Sequence, residues 1–254
     1  MTRPGSLILV PTPLDLGSEP GSDLREVLAQ GVLAQAARLR YWVAENAKTT
    51  RAFLKRVDAL TPLAGPLQGI EIVELPRSPK GGASAPSPDW NALLRPAREG
   101  HDIGLASEAG LPAVADPGSA LVAAAHATGI AVLPLAGPSS LLLALAASGL
   151  NGQSFAFVGY LPTEAAARAA RLHELTQRSR RERQTQIAIE TPYRNAALMT
   201  ALIEHLPADA QLAVACGLTL PGGWCRMQRV AQWRSEPAVM FERNAPAVFL
   251  WLAG

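Results

Sequence analysis

The stretch that most constrains this chain is Gly104-Leu105-Ala106-Ser107-Glu108-Ala109-Gly110-Leu111-Pro112, followed at once by Asp116-Pro117-Gly118. An apolar strand led in by Asp102-Ile103 breaks into a loop of small residues that carries one carboxylate. The chain then re-enters a helix, with Asp116 expected as its N-cap and Pro117 at the first helical position. Strand, loop and capped helix in such quick succession form the α/β arrangement in which ligands sit beyond the carboxyl ends of strands. A small-molecule site is the first expectation.

The pattern around this stretch repeats the same alternation. Leu7 to Val10 reads as a strand, and Asp23 with Glu26 as a capping box opening a helix whose buried face is Leu24, Val27, Leu28 and Val32. Trp42 to Ala44 is a strand, Ala47 to Val57 a basic helix and Ile70 to Leu75 a strand. Ser119 to Thr128 is expected as a helix and Ile130 to Leu133 as a strand. Strands this apolar, alternating with helices, predict a parallel sheet covered on both faces. The Leu- and Ala-rich helix that ends at Gly149 is apolar nearly all round, so it is expected to be buried between layers or domains.

The second half places strands at Phe155 to Val158, Gln186 to Glu190, Leu212 to Ala215, Met227 to Val230 and Ala247 to Trp251. Helices fall at Ala165 to Arg178 and Asn195 to His205, and the tight spacing near the end predicts antiparallel pairs. The expected fold is α/β with two domains: residues 1–136 with a mostly parallel sheet, and residues 137–254 with a mixed one. Residues 76–88, rich in Pro, Gly and Ser, are either a linker or a lid.

Composition excludes more than it assigns. A net charge of +2 on 254 residues does not announce nucleic-acid binding. Cys216 and Cys225 have no metal-ligand spacing and are read as reduced, structural thiols of a cytoplasmic protein. The first residues lead directly into a strand, and the longest apolar run, Leu141 to Ala147, is far short of a bilayer span, so neither a leader nor a membrane partner is expected. No Gly-x-Gly-x-x-Gly follows a strand, and there is no Gly-Lys-Ser/Thr loop, His-Glu-x-x-His or Gly-x-Ser-x-Gly. Of the four histidines, His126, His173 and His205 read as helix-surface residues.

What remains is four strand-end loops: Val10-Pro11-Thr12-Pro13, Ala44-Glu45-Asn46-Ala47, Ser107 to Pro112 and Gly137-Pro138-Ser139-Ser140. In a parallel sheet they gather on one edge, and their backbone groups can line one cleft stiffened by Pro11, Pro13, Pro112 and Pro138. These loops resemble those of the tetrapyrrole methylase superfamily, the class III methyltransferases that use S-adenosyl-L-methionine. Further matches are Asp116-Pro117-Gly118, Pro134 to Pro138, Ala147-Ser148-Gly149-Leu150, Gly159-Tyr160-Leu161-Pro162 and Glu190-Thr191-Pro192-Tyr193-Arg194. The chain is most similar to the branch that methylates a cytidine ribose 2′-hydroxyl of small-subunit ribosomal RNA.

The resemblance implies a cofactor held in a cleft between two α/β domains, a homodimer, and no metal. It places Pro13, Glu108, Gly110, Leu111, Pro112, Ser140, Leu141, Thr191 and Ala215 around S-adenosyl-L-methionine. An oxygen nucleophile also needs a base or orienting acceptor within hydrogen-bond reach, for which Glu45 is the first candidate and Glu190 the second. Either glutamate could instead cap a helix or pair with an arginine.

Four departures bear on the acceptor. This branch usually carries Glu-Asp-Thr-Arg where the chain has Glu45-Asn46-Ala47-Lys48, and Asp where it has Glu108. Cys216 to Leu220 replaces Arg-Glu-Leu-Thr-Lys, and the sequence stops at Gly254 without the branch's further helical segment. Basic runs at Arg178 to Arg183, with Arg168 and Arg171, and at Lys48, Arg51, Lys55 and Arg56 keep RNA in view as a partner. The alternatives are a small-molecule or protein acceptor, or a binding module that holds the cofactor without catalysis.

Overall fold

The computed structural model describes residues 3–15, 21–76, 88–237, 239–241 and 245–254. Two compact units emerge, Met1–Pro138 and Ser139–Gly254. The proposed linker or lid at 76–88 falls on residues 77–87, outside the described residues. Among the described residues no helix is long and apolar enough to cross a membrane.

The first unit is built on five parallel strands, β1 (Leu7–Leu9), β2 (Tyr41–Ala44), β3 (Glu71–Glu74), β4 (Ile103–Ala106) and β5 (Val132–Pro134), in the order β3-β2-β4-β1-β5. Successive side chains of a strand point to opposite faces. Ile8 and Trp42 accordingly enter a core with Leu33, Phe53 and Leu54, whereas Leu7 and Val43 enter another with Leu105 and Leu121. Both faces are covered by helices: α1 (Leu24–Val27), α2 (Gln30–Arg38), α3 (Ala47–Asp58), α4 (Trp90–Leu93), α5 (Arg95–Arg98) and α6 (Ser119–Ala127). This is the covered parallel sheet that the apolar strands predict.

Two helix starts differ from expectation. The helix opened by Asp23 stops after one turn, where Leu28 N–H bonds the Leu24 carbonyl at 2.9 Å, and α2 restarts from an extended Ala29. The break lets Leu33, which one straight helix sets about half a turn from Leu24, reach the same core as Leu24, Leu28 and Val32. Asp23 caps through Arg25 N–H and also holds the Arg25 guanidinium; the return bond from Glu26 that a capping box requires is not made. Nor does Asp116 cap α6. That helix starts at Ser119 with Gly118 as its N-cap and no side-chain cap bond, after a turn in which Ala113 and Ala115 both take φ +65°.

The second unit holds α7 (Ser140–Ser148), β6 (Phe155–Gly159), α8 (Ala165–Glu182), β7 (Thr185–Glu190), α9 (Asn195–His205), β8 (Gln211–Cys216), β9 (Trp224–Arg229), α10 (Val230–Ser235) and β10 (Ala247–Leu252). Its sheet runs β6-β7-β10-β8-β9, parallel between β6 and β7 and antiparallel elsewhere, as the spacing predicts. Val230, expected at the end of a strand, opens α10 instead.

The helix α7 corrects a further expectation. Only the Leu141, Ala144, Leu145 and Ser148 stripe is buried, while Leu142 is 52% exposed and Leu143 38%. Cys216 packs on one face of the sheet and Cys225 on the other, because Cys216 lies opposite Trp224 and Cys225 opposite Ala215. Neither cysteine forms a disulfide, and burial raises the pKa of Cys225.

Candidate active site

A parallel sheet delivers every strand's carboxyl end to the same edge. In the first unit, backbone bonds extend the ladder one residue past the strands: Val10 N–H to Leu105 O, Glu45 N–H to Ala106 O, Leu75 N–H to Ala44 O and Leu135 N–H to Leu9 O, at 2.7 to 3.0 Å. The loops that follow are therefore neighbours. Thr12 and Gly110 exchange both backbone bonds, 3.0 and 3.1 Å, and the Thr12 hydroxyl donates to Ser107 O at 3.2 Å. Gly110 holds φ +78°, which a side chain adopts only with strain. A Cβ on Gly137 would stand 2.2 Å from Pro11 Cβ, so the first and last loops touch because that residue is glycine.

This edge brings together Pro13, Glu45, Glu108, Gly110, Leu111 and Pro112. Glu45 Oε2 accepts the Glu108 N–H at 3.0 Å, and Asn46 Nδ2 donates to Glu108 Oε1 at 2.8 Å. Asn46 also caps α3, its Oδ1 accepting Lys48 N–H at 2.9 Å and Thr49 N–H at 3.4 Å, while Glu74 accepts Ala47 N–H at 2.8 Å. Glu45 Oε1 has no hydrogen bond among the described residues.

Asp116, expected only as a cap, belongs to this group. Burial, with the Glu45 and Glu108 carboxylates, pushes its pKa up to about 6, against a partial pull downward from its bond to Ser107. The two neighbouring carboxylates disfavour the charged form of Asp116. The sequence holds no local sign of this, because Asp116 reaches the others through the left-handed turn at Ala113 and Ala115.

The remaining candidates lie in the second unit. Glu190 ends β7 in a row with Ala247 and Cys216, one step beyond the row Ile189, Val248 and Ala215. Leu141 of α7 and Ala215 share one apolar cluster, and Ser140 opens α7. The Glu190 carboxylate is almost wholly enclosed: Oε1 accepts Thr191 N–H at 2.8 Å and its hydroxyl at 3.2 Å, and Oε2 pairs with Arg194 at 2.9 Å. Tyr193, in the same turn, is 82% exposed.

The strand-end edge can receive a small ligand through backbone groups, and its carboxylates suit a cationic one. A cation beside Asp116 would offset the burial and the carboxylate repulsion that together raise its pKa, which is how the donor set fits a sulfonium. Fold and site thus define an α/β protein of two sheets whose parallel sheet gathers its strand-end loops and three carboxylates on one edge.

Solved structures similar in fold include the methyltransferase CobJ, with TM-score 0.57, 18% identity and coverage of 98% of this chain and 95% of that one. Another is uroporphyrin-III-C-methyltransferase from Thermus thermophilus, with TM-score 0.51, 20% identity and coverage of 98% and 94%. Residues 27–232 match the family model of Tetrapyrrole (Corrin/Porphyrin) Methylases, and the chain belongs to that family. Similar curated sequences are named ribosomal RNA small subunit methyltransferase I. That of Mycobacterium bovis is 39% identical over 128 residues, 50% of this chain and 44% of that protein; that of Vibrio cholerae is 38% identical over 120 residues, 47% and 40%. The match thus spans under half the length of these curated relatives.

Proposed function

We propose that the protein is an S-adenosyl-L-methionine-dependent methyltransferase acting on a ribose 2′-hydroxyl of small-subunit ribosomal RNA. The observation that carries this is the parallel-sheet edge where Glu45 is fixed by Glu108 N–H with its other oxygen open. Family membership and the names of the similar sequences support the reaction and the acceptor class. Pro13, Glu108, Gly110, Leu111 and Pro112 of the first unit, with Ser140, Leu141, Thr191 and Ala215 of the second, are the proposed cofactor contacts. S-adenosyl-L-methionine supplies the methyl group.

The chain's own task is positioning, exclusion of water and disposal of one proton. With the cofactor bound, the hydroxyl oxygen would take the methyl group as the methyl–sulfur bond breaks and S-adenosylhomocysteine leaves, and Glu45 Oε1 would accept the hydroxyl proton. Glu190 Oε1 accepts two bonds from Thr191, and Oε2 is ion-paired with Arg194 with no hydrogen bond among the described residues, so its assigned role is to hold Thr191. Exposed Tyr193 offers a stacking face of the kind that single-stranded RNA uses. The functional form is a homodimer, a reading supported by the exposed Leu142 and Leu143 of α7. Its work is cytoplasmic, on the assembling small subunit.

The test is methyl transfer from labelled cofactor to ribosomal particles, total protein and small molecules from a strain lacking the gene. Label is expected in small-subunit RNA of that strain and not in RNA of the parent, whose site is already methylated. Glu45→Gln should lower turnover by roughly 10²-fold or more, the ordinary worth of a general base. Label confined to protein or small molecules overturns the RNA acceptor, and cofactor binding with no label anywhere leaves a binding module.

A further inference from the structure

The helix α3 buries Thr50, Phe53, Leu54 and Val57 along one face. Lys48, Arg51 and Lys55, at i, i+3 and i+7, fall within about 60° of arc on its exposed side at about 100° per residue. Among the described residues none of these three side chains has an ion pair or hydrogen bond. Asp58, which ends the same face, is turned to Leu63 N–H at 3.0 Å. Arg56 is not part of the row, because it binds Asp15 at 3.0 Å and Ser22 O at 2.6 Å.

The other basic run is different. On α8, Arg171 pairs with Glu174, Arg178 and Arg181 both pair with Glu182, and Arg180 bonds Gly254 O and approaches Asp209. Those cations already have carboxylate or carbonyl partners that a phosphate would have to displace. The α3 row has none.

The row also has a direction. It begins three residues after Glu45 and two after Asn46, at the end of α3 that the carboxylate edge holds. From Lys48 to Lys55 the helix rises about 10 Å. That is about three phosphates at about 3.4 Å of rise per nucleotide.

We propose that Lys48, Arg51 and Lys55 form the phosphate track that leads an RNA strand to Glu45. The inference rests on the RNA reading of the site above, and the occupant it commits to is the sugar-phosphate backbone of RNA, read without base specificity. Each cation displaces about 0.7 of a counterion on a single strand, so the track contributes about 2 to the slope of log K against log salt.

The experiment measures binding of a small-subunit ribosomal RNA transcript across a potassium chloride series. The triple variant Lys48→Ala/Arg51→Ala/Lys55→Ala leaves the buried face of α3 intact and places good helix formers on the outer face. Its slope should be shallower by about 2, and that of Lys55→Ala alone by about 0.7, with the affinity for S-adenosyl-L-methionine unchanged. Arg178→Ala/Arg181→Ala on α8 should leave the slope as it is. An unchanged slope in the α3 variants, with RNA still methylated by the wild type, overturns the track and leaves the RNA reading standing. A wild type that neither binds nor methylates the transcript overturns both.

Discussion

Asp116 sits where a negative charge is hard to keep. Burial, then the Glu45 carboxylate, then Glu108 raise its pKa to about 6 from an ordinary 3.8, and the bond to Ser107 restores only part of the difference. The folded carboxyl thus holds its proton more tightly than the unfolded one, and folding takes up a proton between about pH 4 and pH 6. The stability this group contributes is full below about pH 4 and is lost as the pH rises through about 6. Asp116→Asn removes the titration while keeping the shape. Thermal melts of variant and wild type at about pH 4 and about pH 7 should show the variant gaining on the wild type at the higher pH. A difference in Tm that does not move with pH would mean that Asp116 carries no such burden.

Between elements, two of the departures from the resembled branch, Asn46 and Glu108, turn out to be a single contact. Asn46 stands where Asp is usual and Glu108 where another Asp is usual, and the amide of one donates to the carboxylate of the other at 2.8 Å. The contact ties the loop after β2 to the loop after β4, while the amide oxygen of Asn46 caps α3. Asn46→Asp should keep the cap, since aspartate serves as well there. It nonetheless sets an acceptor against Glu108, so the midpoint of urea unfolding should fall. In a Glu108→Gln background the glutamine amide can donate instead, and the same substitution should cost less. A coupling of roughly 0.5 to 3 kcal/mol is the range for touching pairs, and additive effects would remove the contact from the account.

Such a contact marks the limit of what residue order can reveal. Periodicity made α9 legible from Asn195 to His205 and made the core strands legible, because burial imposes a repeat on neighbouring residues. Asn46 and Glu108 are 62 positions apart, and their pairing exists only once β2 and β4 lie side by side. The turn before α6 was hidden for another reason: alanine gives no sign that it will adopt φ +65°, and the Asp-Pro pair imitates a helix start. The one-turn helices α4 and α5 are too short to express a period. The four strand-end loops were legible as a group, since a parallel sheet fixes where they must go.

At the scale of the whole chain, each unit encloses its own cores, on both faces of its own sheet. Cofactor contacts, by contrast, are assigned to both: Pro13 and the loop Glu108 to Pro112 in one unit, Ser140, Leu141, Thr191 and Ala215 in the other. Stability and ligand binding should therefore separate when the chain is divided after Pro138. A domain of about 100 residues with a covered sheet has enough buried surface to fold alone. Residues 1–138 and 139–254, expressed separately, should each unfold cooperatively in urea when followed by circular dichroism. Neither should bind S-adenosyl-L-methionine with the affinity of the intact chain by calorimetry, because each carries only part of the proposed contacts. Full affinity in either fragment would confine the cofactor to that unit and strip the other unit's residues of their assigned role, whereas two cooperative but non-binding fragments would locate the requirement in the continuity of the chain.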